Sequence, residues 1–188
     1  TWYIIPDALE NAEKTMQQAA DWIKTYKNIP GKSIGVVQGK TYQEIRDCYR
    51  AMDEIAKVDM IAISFDYSYY TESVPHPNKY VSWMLGRVKL IGDLLRDDII
   101  NKNKPHHLLG CGLPQEFSFY KHADYNFIYS LDTSNPVVHG LKGIEYAQEG
   151  LWSKESQKLH ELIDVPLEEI DVQKVLINLK KFRWLTNG

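Results

Sequence analysis

Polar side chains and glycines follow each of five short apolar segments in this chain. They are Asp7, Gln38, residues 64–66 (Ser-Phe-Asp), residues 110–112 (Gly-Cys-Gly) and Asp132. A carboxylate can act as a nucleophile at a sugar carbon or as a general base. An amide beside a carboxylate can donate to and accept from the edge of a purine, and glycines let a flat ligand approach the backbone. These residue types predict a site that binds a planar base and acts on the sugar attached to it.

The apolar segments alternate with helical patterns along the chain. The predicted strands cover residues 2–5, 33–38, 60–65, 106–109 and 126–131. The predicted helices cover residues 8–26, 41–56, 80–100, 113–121, 154–163 and 167–184, with residues 67–78 as a long loop and 133–150 as an irregular segment. Thr41 and Glu44 have the spacing of a capping box. Strands alternating with helices indicate a parallel sheet, whose ligands bind at the carboxyl ends of the strands.

The length of the chain limits the architecture. The 188 residues suffice for one core, whereas a complete eight-stranded barrel usually needs about 250 residues. We therefore expect an α/β fold in which residues 1–188 form a single TIM-barrel-like domain with parallel strands. Either this barrel is partial or reduced, or its first strands lie upstream of Thr1. Residues 151–188 are expected to supply closing C-terminal helices.

Composition narrows the function classes. No apolar run approaches the roughly 18 residues that cross a bilayer, so no membrane partner is expected. The net charge of −3 gives no global attraction to nucleic acid. Two distant cysteines, Cys48 and Cys111, argue against a disulfide framework and a cysteine-rich zinc site. We predict a cytoplasmic protein with no metal and no cofactor.

Each candidate residue also has a purely structural interpretation. Asp7 precedes a helical pattern and could be its N-cap. Gln38 stands before a glycine and could be a turn residue, and Asp132 begins a sequence typical of turns. His106 and His107 follow a proline at the start of their strand, which is the end of a barrel associated with stability, so we interpret both as structural.

Three segments together resemble the queuine and archaeosine tRNA-guanine transglycosylases, a family of (β/α)8 barrels. Residues 36–39 (Val-Val-Gln-Gly) resemble the family's Val-Gln-Gly strand end. Residues 105–114 (Pro-His-His-Leu-Leu-Gly-Cys-Gly-Leu-Pro) resemble its Pro-(His/Arg)-Tyr-Leu-Met-Gly-Val-Gly-x-Pro strand. Residues 132–136 (Asp-Thr-Ser-Asn-Pro) have the spacing of its Asp-Cys-Val-x-Pro. The order and spacing agree over roughly residues 1–140.

The resemblance implies roles for individual residues. Asp132 would be the nucleophile that attacks C1′ of a guanine nucleotide and expels the base. Asp7 and Gln38 would hold the base edge, and Gly110 or Gly112 would leave room for its plane. The implied activity is exchange of guanine or a 7-deazaguanine on a nucleic acid or nucleotide, which is the reaction of a pentosyltransferase.

The chain also departs from the family pattern. Ser64 and Phe65 replace a Gly-Gly pair, so Ser64 would reshape the base pocket it lines. The family's Thr-Arg after the proline is Val137 and Val138 here. Its zinc site of three cysteines and a histidine is absent from these residues, and its upstream Asp-Ser-Gly-Gly-Phe segment would precede Thr1. These departures make DNA or a small molecule a more credible acceptor than tRNA, as in the reduced barrels carried by phages.

Two other functions remain open from the sequence. The same residues could hydrolyse the N-glycosidic bond of a nucleoside or nucleotide, with water as the acceptor. The chain could also be a non-catalytic barrel that binds a base. An exposed sheet edge in a reduced barrel would favour self-association as a homo-oligomer.

Overall fold

A five-stranded sheet forms the centre of the protein. The computed structural model describes residues 1–27, 29–148, 150–155, 166 and 172–187. The strands are β1 (Trp2–Ile4), β2 (Lys32–Val36), β3 (Met60–Ile63), β4 (His106–Leu108) and β5 (Ile128–Leu131). They lie in the order β1-β2-β3-β4-β5, and every neighbouring pair is parallel. The predicted α/β class with a parallel sheet is confirmed.

Helices connect most of the strands. They are α1 (Ala12–Thr25), α2 (Tyr42–Arg50), α3 (Ser68–Ser73), α4 (Lys79–Arg96), α5 (Asn135–Leu141) and α6 (Val172–Asn187). A π-helical turn (Ala51–Ile55) extends α2, and two 3₁₀ segments (Pro114–Tyr120 and Ala123–Tyr125) lie between β4 and β5. The side chain of Thr41 accepts from Glu44 N and that of Glu44 accepts from Thr41 N, so the predicted capping box is confirmed.

Two helices occur where the sequence predicted none. α3 lies in the expected loop 67–78, and α5 lies in the segment 133–150 that was expected to be irregular. Pro136 at the start of α5 and Gly140 within it disguise this helix in the sequence. A Cβ on Gly140 would come within 2.5 Å of Val175 Cα in α6, so close helix packing explains this glycine. Apart from Lys154 and Glu155, the predicted helix 154–163 lies outside the described residues.

The two faces of the sheet have different neighbours. Because the strands follow chain order, right-handed crossovers place the connecting helices on one face. Gly35 lies on this face, where an added Cβ would meet Met52 and Val58 within 3.1 Å. Alternation assigns Val36 and Ala62 to the opposite face, and both are nearly fully buried. Among the described residues, no helix is both long and apolar enough to cross a membrane.

His106 is part of a buried hydrogen-bond network. Its Nδ1–H donates to Lys104 O over 2.8 Å. Tyr49 O–H lies 2.8 Å from His106 Nε2 and accepts from Asn101 N, which makes the tyrosine the donor to the imidazole. Burial lowers the pKa of His106 to about 4. The neutral imidazole is therefore the form that this network holds.

We expect acid to destabilise the protein through His106. Its folded pKa of about 4 lies below the ordinary value of 6.5, so only the unfolded chain binds a proton between these values. Stability from this residue is present above pH 6.5 and falls by up to about 3 kcal/mol as the pH approaches 4. Urea unfolding of wild type and His106→Gln across this pH range measures the loss. The difference between their free energies of unfolding should shrink in acid. The free energy of the exposed control His122→Gln should follow that of wild type.

Candidate functional site

Two of the predicted site residues, Ser64 and Asp132, lie in one row across the sheet, and Gln38 lies beside it. Val36 pairs with Ala62, and Leu108 pairs with both Ile63 and Leu131. The next row contains the residues that follow the strand ends, and the backbone hydrogen bonds of Leu109 N to Ile63 O and of Asp132 N to Leu108 O continue the ladder. This row is Ser64, Leu109 and Asp132. Gln38 lies beside it at the end of β2, where Tyr67 O–H accepts from Ser64 N and donates to Val37 O in place of a backbone hydrogen bond.

Gln38 is buried, and its amide is held at both ends. Its Nε2 donates to Asp7 Oδ2 over 2.7 Å, and its Oε1 accepts from Glu10 N over 2.9 Å. Asp7 itself is exposed. A primary amide has two N–H groups, and the contact with Asp7 uses one of them. Asp7 and Gln38 thus form a carboxylate–amide pair at the ends of β1 and β2.

Glu10 supports this pair and did not stand out in the sequence. Its backbone orients the Gln38 amide, and its carboxylate accepts from Ser68 N at the start of α3. Hydrogen bonding by Ser68 lowers the pKa of Glu10. The contact therefore fixes the β1–α1 connection to the β3–α4 connection above the strand ends.

Asp132 presents an exposed carboxylate with one anchored oxygen. Its Oδ1 accepts from Gly110 N over 2.6 Å, and 64% of the side chain is exposed. His107 Nε2 lies 3.6 Å from the same oxygen, and His107 Nδ1 lies 2.8 Å from Ser130 Oγ. β4 is only three residues long, so His107 lies close to the carboxyl edge rather than far below it. The structural interpretation of His107 overlooked this.

The turn after β4 requires a glycine at its first position. Gly110 has a φ of +66°, and a Cβ there would approach the Phe65 ring to 2.3 Å. The ring of Phe65 therefore fills the space that Gly110 leaves. Gly112 is buried, but a Cβ on it would meet nothing closer than 3.8 Å. A side chain at Gly110 would therefore be strained and would clash with Phe65, whereas a Cβ at Gly112 would be accommodated.

We expect Gly110→Ala to be destabilising and Gly112→Ala to be tolerated. A left-handed backbone costs about 1–2 kcal/mol for a residue with a Cβ, and displacing Phe65 adds to this cost. Gly112 has neither problem. Chemical denaturation of the two variants compares them directly, and equal losses of unfolding free energy would contradict this account of the turn.

A buried ion pair holds the carbonyls of the same turn. Arg87 on α4 donates to both carboxylate oxygens of Glu116, at 2.7 and 2.9 Å. It also donates to Leu109 O and Gly110 O, at 3.0 and 3.1 Å. Both side chains are almost completely buried. Burial alone would lower the pKa of Arg87, but the Glu116 carboxylate raises it above its ordinary value. The guanidinium therefore stays charged and fixes the backbone that holds Asp132.

Ser64 follows the end of β3, and its hydroxyl contacts a neighbouring carboxylate. Ser64 Oγ donates to Asp66 Oδ1 over 2.7 Å, and Ser64 O accepts from Tyr70 O–H over 2.8 Å. Above it, Lys154 Nζ lies 3.8 Å from the centre of the Phe65 ring. Burial lowers the pKa of Lys154. A partly buried cation thus covers the aromatic ring beside the row.

Neither the groove along β5 nor a metal cluster contributes to this group of strand-end residues. A groove of about 460 Å³ follows the outer edge of β5, and its lining does not include Gln38, Ser64 or Asp132. In the part of the chain that the structure describes, no cluster of three His, Cys, Asp or Glu side chains could hold a metal ion. Proton transfer, hydrogen bonding and nucleophilic attack are the chemistry these side chains can perform.

No protein-family model matches the chain, and no curated protein matches it in sequence.

Proposed function

We propose that the carboxyl edge of this sheet binds a purine or 7-deazapurine base and exchanges it on a nucleotide through Asp132. The observation that carries the proposal is that Gln38, Ser64 and Asp132 follow the carboxyl ends of β2, β3 and β5 at one edge of the parallel sheet. An amide suited to a base edge and an exposed carboxylate therefore lie at the same edge. The sequence alone marks each of these residues by its chemistry.

The Asp7–Gln38 pair is suited to the edge of a purine. Gln38 is fixed by Asp7 and Glu10, so its remaining N–H is directed before a ligand arrives. The exposed Asp7 carboxylate accepts from the N–H groups that guanine and 7-deazaguanine carry on this edge. Preorganised donors and acceptors lower the cost of ordering the site on binding. This pair is the base-binding element of the proposal.

Asp132 is suited to attack on the sugar. One oxygen is held by Gly110 N–H, which leaves Oδ2 as the nucleophilic atom. Attack on C1′ breaks its bond to the base nitrogen and forms a glycosyl ester, and an incoming base then reverses the step. Such a double displacement divides one difficult reaction into two easier ones.

The proposed reaction requires a curved sheet, because the base-binding pair and Asp132 lie far apart on a flat one. Three interstrand spacings separate Gln38 from Asp132, which is about 14 Å along a flat sheet. Curvature toward the face of Val36 and Ala62 shortens this span toward the length of a nucleoside, and the burial of both residues supports such curvature. The proposal therefore includes a reduced or partial (β/α) barrel, with these side chains on its inner wall.

The test is a base-exchange assay with three candidate acceptors. The protein is incubated with labelled guanine and with tRNA, single-stranded DNA or duplex DNA, and the label entering each polymer is counted. Incorporation into one polymer would support base exchange and identify the acceptor. A folded protein that incorporates label into none of them would overturn the proposal.

A further inference from the structure

A histidine and a serine accompany the carboxylate of Asp132. His107 pairs with Ser130 across β4 and β5, and their side chains approach within 2.8 Å. The other ring nitrogen of His107 lies 3.6 Å from Asp132 Oδ1. Base exchange as proposed above uses neither His107 nor Ser130. Their position beside the nucleophile requires a separate explanation.

The Ser130 hydroxyl can support either neutral form of the imidazole. While Asp132 is a carboxylate, it favours a proton on Nε2, and Ser130 O–H then donates to Nδ1. Once Asp132 becomes a neutral ester, that preference disappears, and Nδ1–H can donate to Ser130 Oγ instead. Nε2 is then an unprotonated base facing the ester. Burial lowers the pKa of His107, although the Asp132 carboxylate opposes this shift, so the neutral ring is favoured near neutral pH.

We propose that the site also hydrolyses the N-glycosidic bond of its nucleotide, with His107 as the general base that directs water onto the Asp132 ester. The inference rests on the proposed role of Asp132 as nucleophile. It adds a second outcome for the same covalent intermediate. When no base arrives, water takes its place.

The position of His107 determines where the water attacks. Direct displacement at C1′ would need a base on the side of the sugar opposite Asp132. His107 instead lies on the same side as the carboxylate, within 3.6 Å of Oδ1, so it reaches water at the carbonyl carbon of the ester. Gly110 N–H already contacts Oδ1 and would stabilise the charge that develops there.

The reaction balances in two steps. Oδ2 of Asp132 bonds to C1′, the bond from C1′ to the base breaks, and the base nitrogen keeps the electron pair and takes a proton from solvent. Water then adds to the ester carbon and gives a proton to His107 Nε2. The bond between that carbon and the ester oxygen on C1′ then breaks. This oxygen, formerly Asp132 Oδ2, takes the proton from His107 and leaves with the sugar. The new carboxyl group returns its own proton to solvent and keeps the oxygen of the water.

The experiment follows base release and the origin of the oxygen. The protein is incubated in heavy-oxygen water with guanosine monophosphate, a guanine-containing DNA oligonucleotide or tRNA, without added base. We expect free guanine, and one heavy oxygen in the Asp132 peptide after a single turnover. His107→Gln should slow multiple-turnover release by at least about 100-fold, while the base released in the first turnover leaves a glycosyl ester that accumulates on Asp132. His122→Gln, an exposed histidine outside the site, should behave as wild type.

Two outcomes would overturn the inference. One is heavy oxygen found only in the released sugar after the first turnover, because that requires attack at C1′. The other is base exchange by wild type without multiple-turnover base release above that of Asp132→Asn, which would leave the proposed function intact. Absence of both exchange and release would refute the proposed function as well, so the two failures are distinguishable.

Discussion

Replacing Asp132 with asparagine is expected to reduce base exchange by at least about 10³-fold. An amide is a poor nucleophile at a sugar carbon, so the covalent step is lost. The fold should persist, because the asparagine Oδ1 can still accept from Gly110 N and the side chain is largely exposed. The measurement compares initial rates of label incorporation by wild type and variant, together with their unfolding free energies. We expect these free energies to agree within about 0.5 kcal/mol.

Asp124→Asn is the matched control for this prediction. Asp124 lies in the connection between β4 and β5. Its exposed carboxylate contacts Lys102 and His122. Its replacement removes the same charge outside the row, so exchange should match that of wild type. Exchange retained by Asp132→Asn would exclude the nucleophilic role. An equal loss in both variants would attribute the effect to charge alone.

Replacing Glu116 with alanine is expected to lower the free energy of unfolding by about 3–5 kcal/mol. The change leaves the buried Arg87 guanidinium without its carboxylate partner, and it also removes an acceptor used by Tyr120 O–H. Arg87 also donates to Leu109 O and Gly110 O, two backbone carbonyls of the turn that holds Asp132, so the turn is disturbed as well. Chemical denaturation measures the loss, and weakened exchange should accompany it under conditions where the variant remains folded.

The control is an exposed ion pair with similar chemistry. Glu145 contacts Lys181 at 2.7 Å, with both side chains partly exposed to solvent. Exposed pairs contribute at most about 1 kcal/mol, so Glu145→Ala should be nearly neutral. If Glu116→Ala folds too poorly to study, Glu116→Gln keeps the shape and one acceptor while removing the charge. A loss below about 1 kcal/mol in both Glu116 variants would contradict the account of the ion pair.

The sequence was sufficient for the strand ends but not for their alignment. An apolar run ending in Gln38 and Gly39 marks a strand end by local pattern alone. That Ser64 and Asp132 share one row, with Gln38 beside it, depends on where each strand begins to pair, and this is a tertiary property. His107 lies near the start of its strand as predicted, but β4 has only three residues, so the same position is also close to Asp132.

Long-range packing determined the features that the sequence concealed. Arg87 lies in a mostly apolar helix, 29 residues before Glu116, and no local pattern connects them. Gly140 and Pro136 suggested an irregular segment, yet α5 forms because the missing side chain lets it pack closely on α6. Glu10 acts through its backbone on Gln38, which composition cannot reveal. In each case the partner lies far away in the chain.

The most direct test of the central claim is to find the covalent bond that it requires. Wild-type protein is mixed with the acceptor that takes up guanine, quenched in acid, digested and analysed by mass spectrometry. We predict a glycosyl adduct on the peptide containing Asp132, and its loss when excess free guanine is added before quenching. An exchange-competent protein with no adduct, or with an adduct on another residue, would contradict the assignment of Asp132 as the nucleophile.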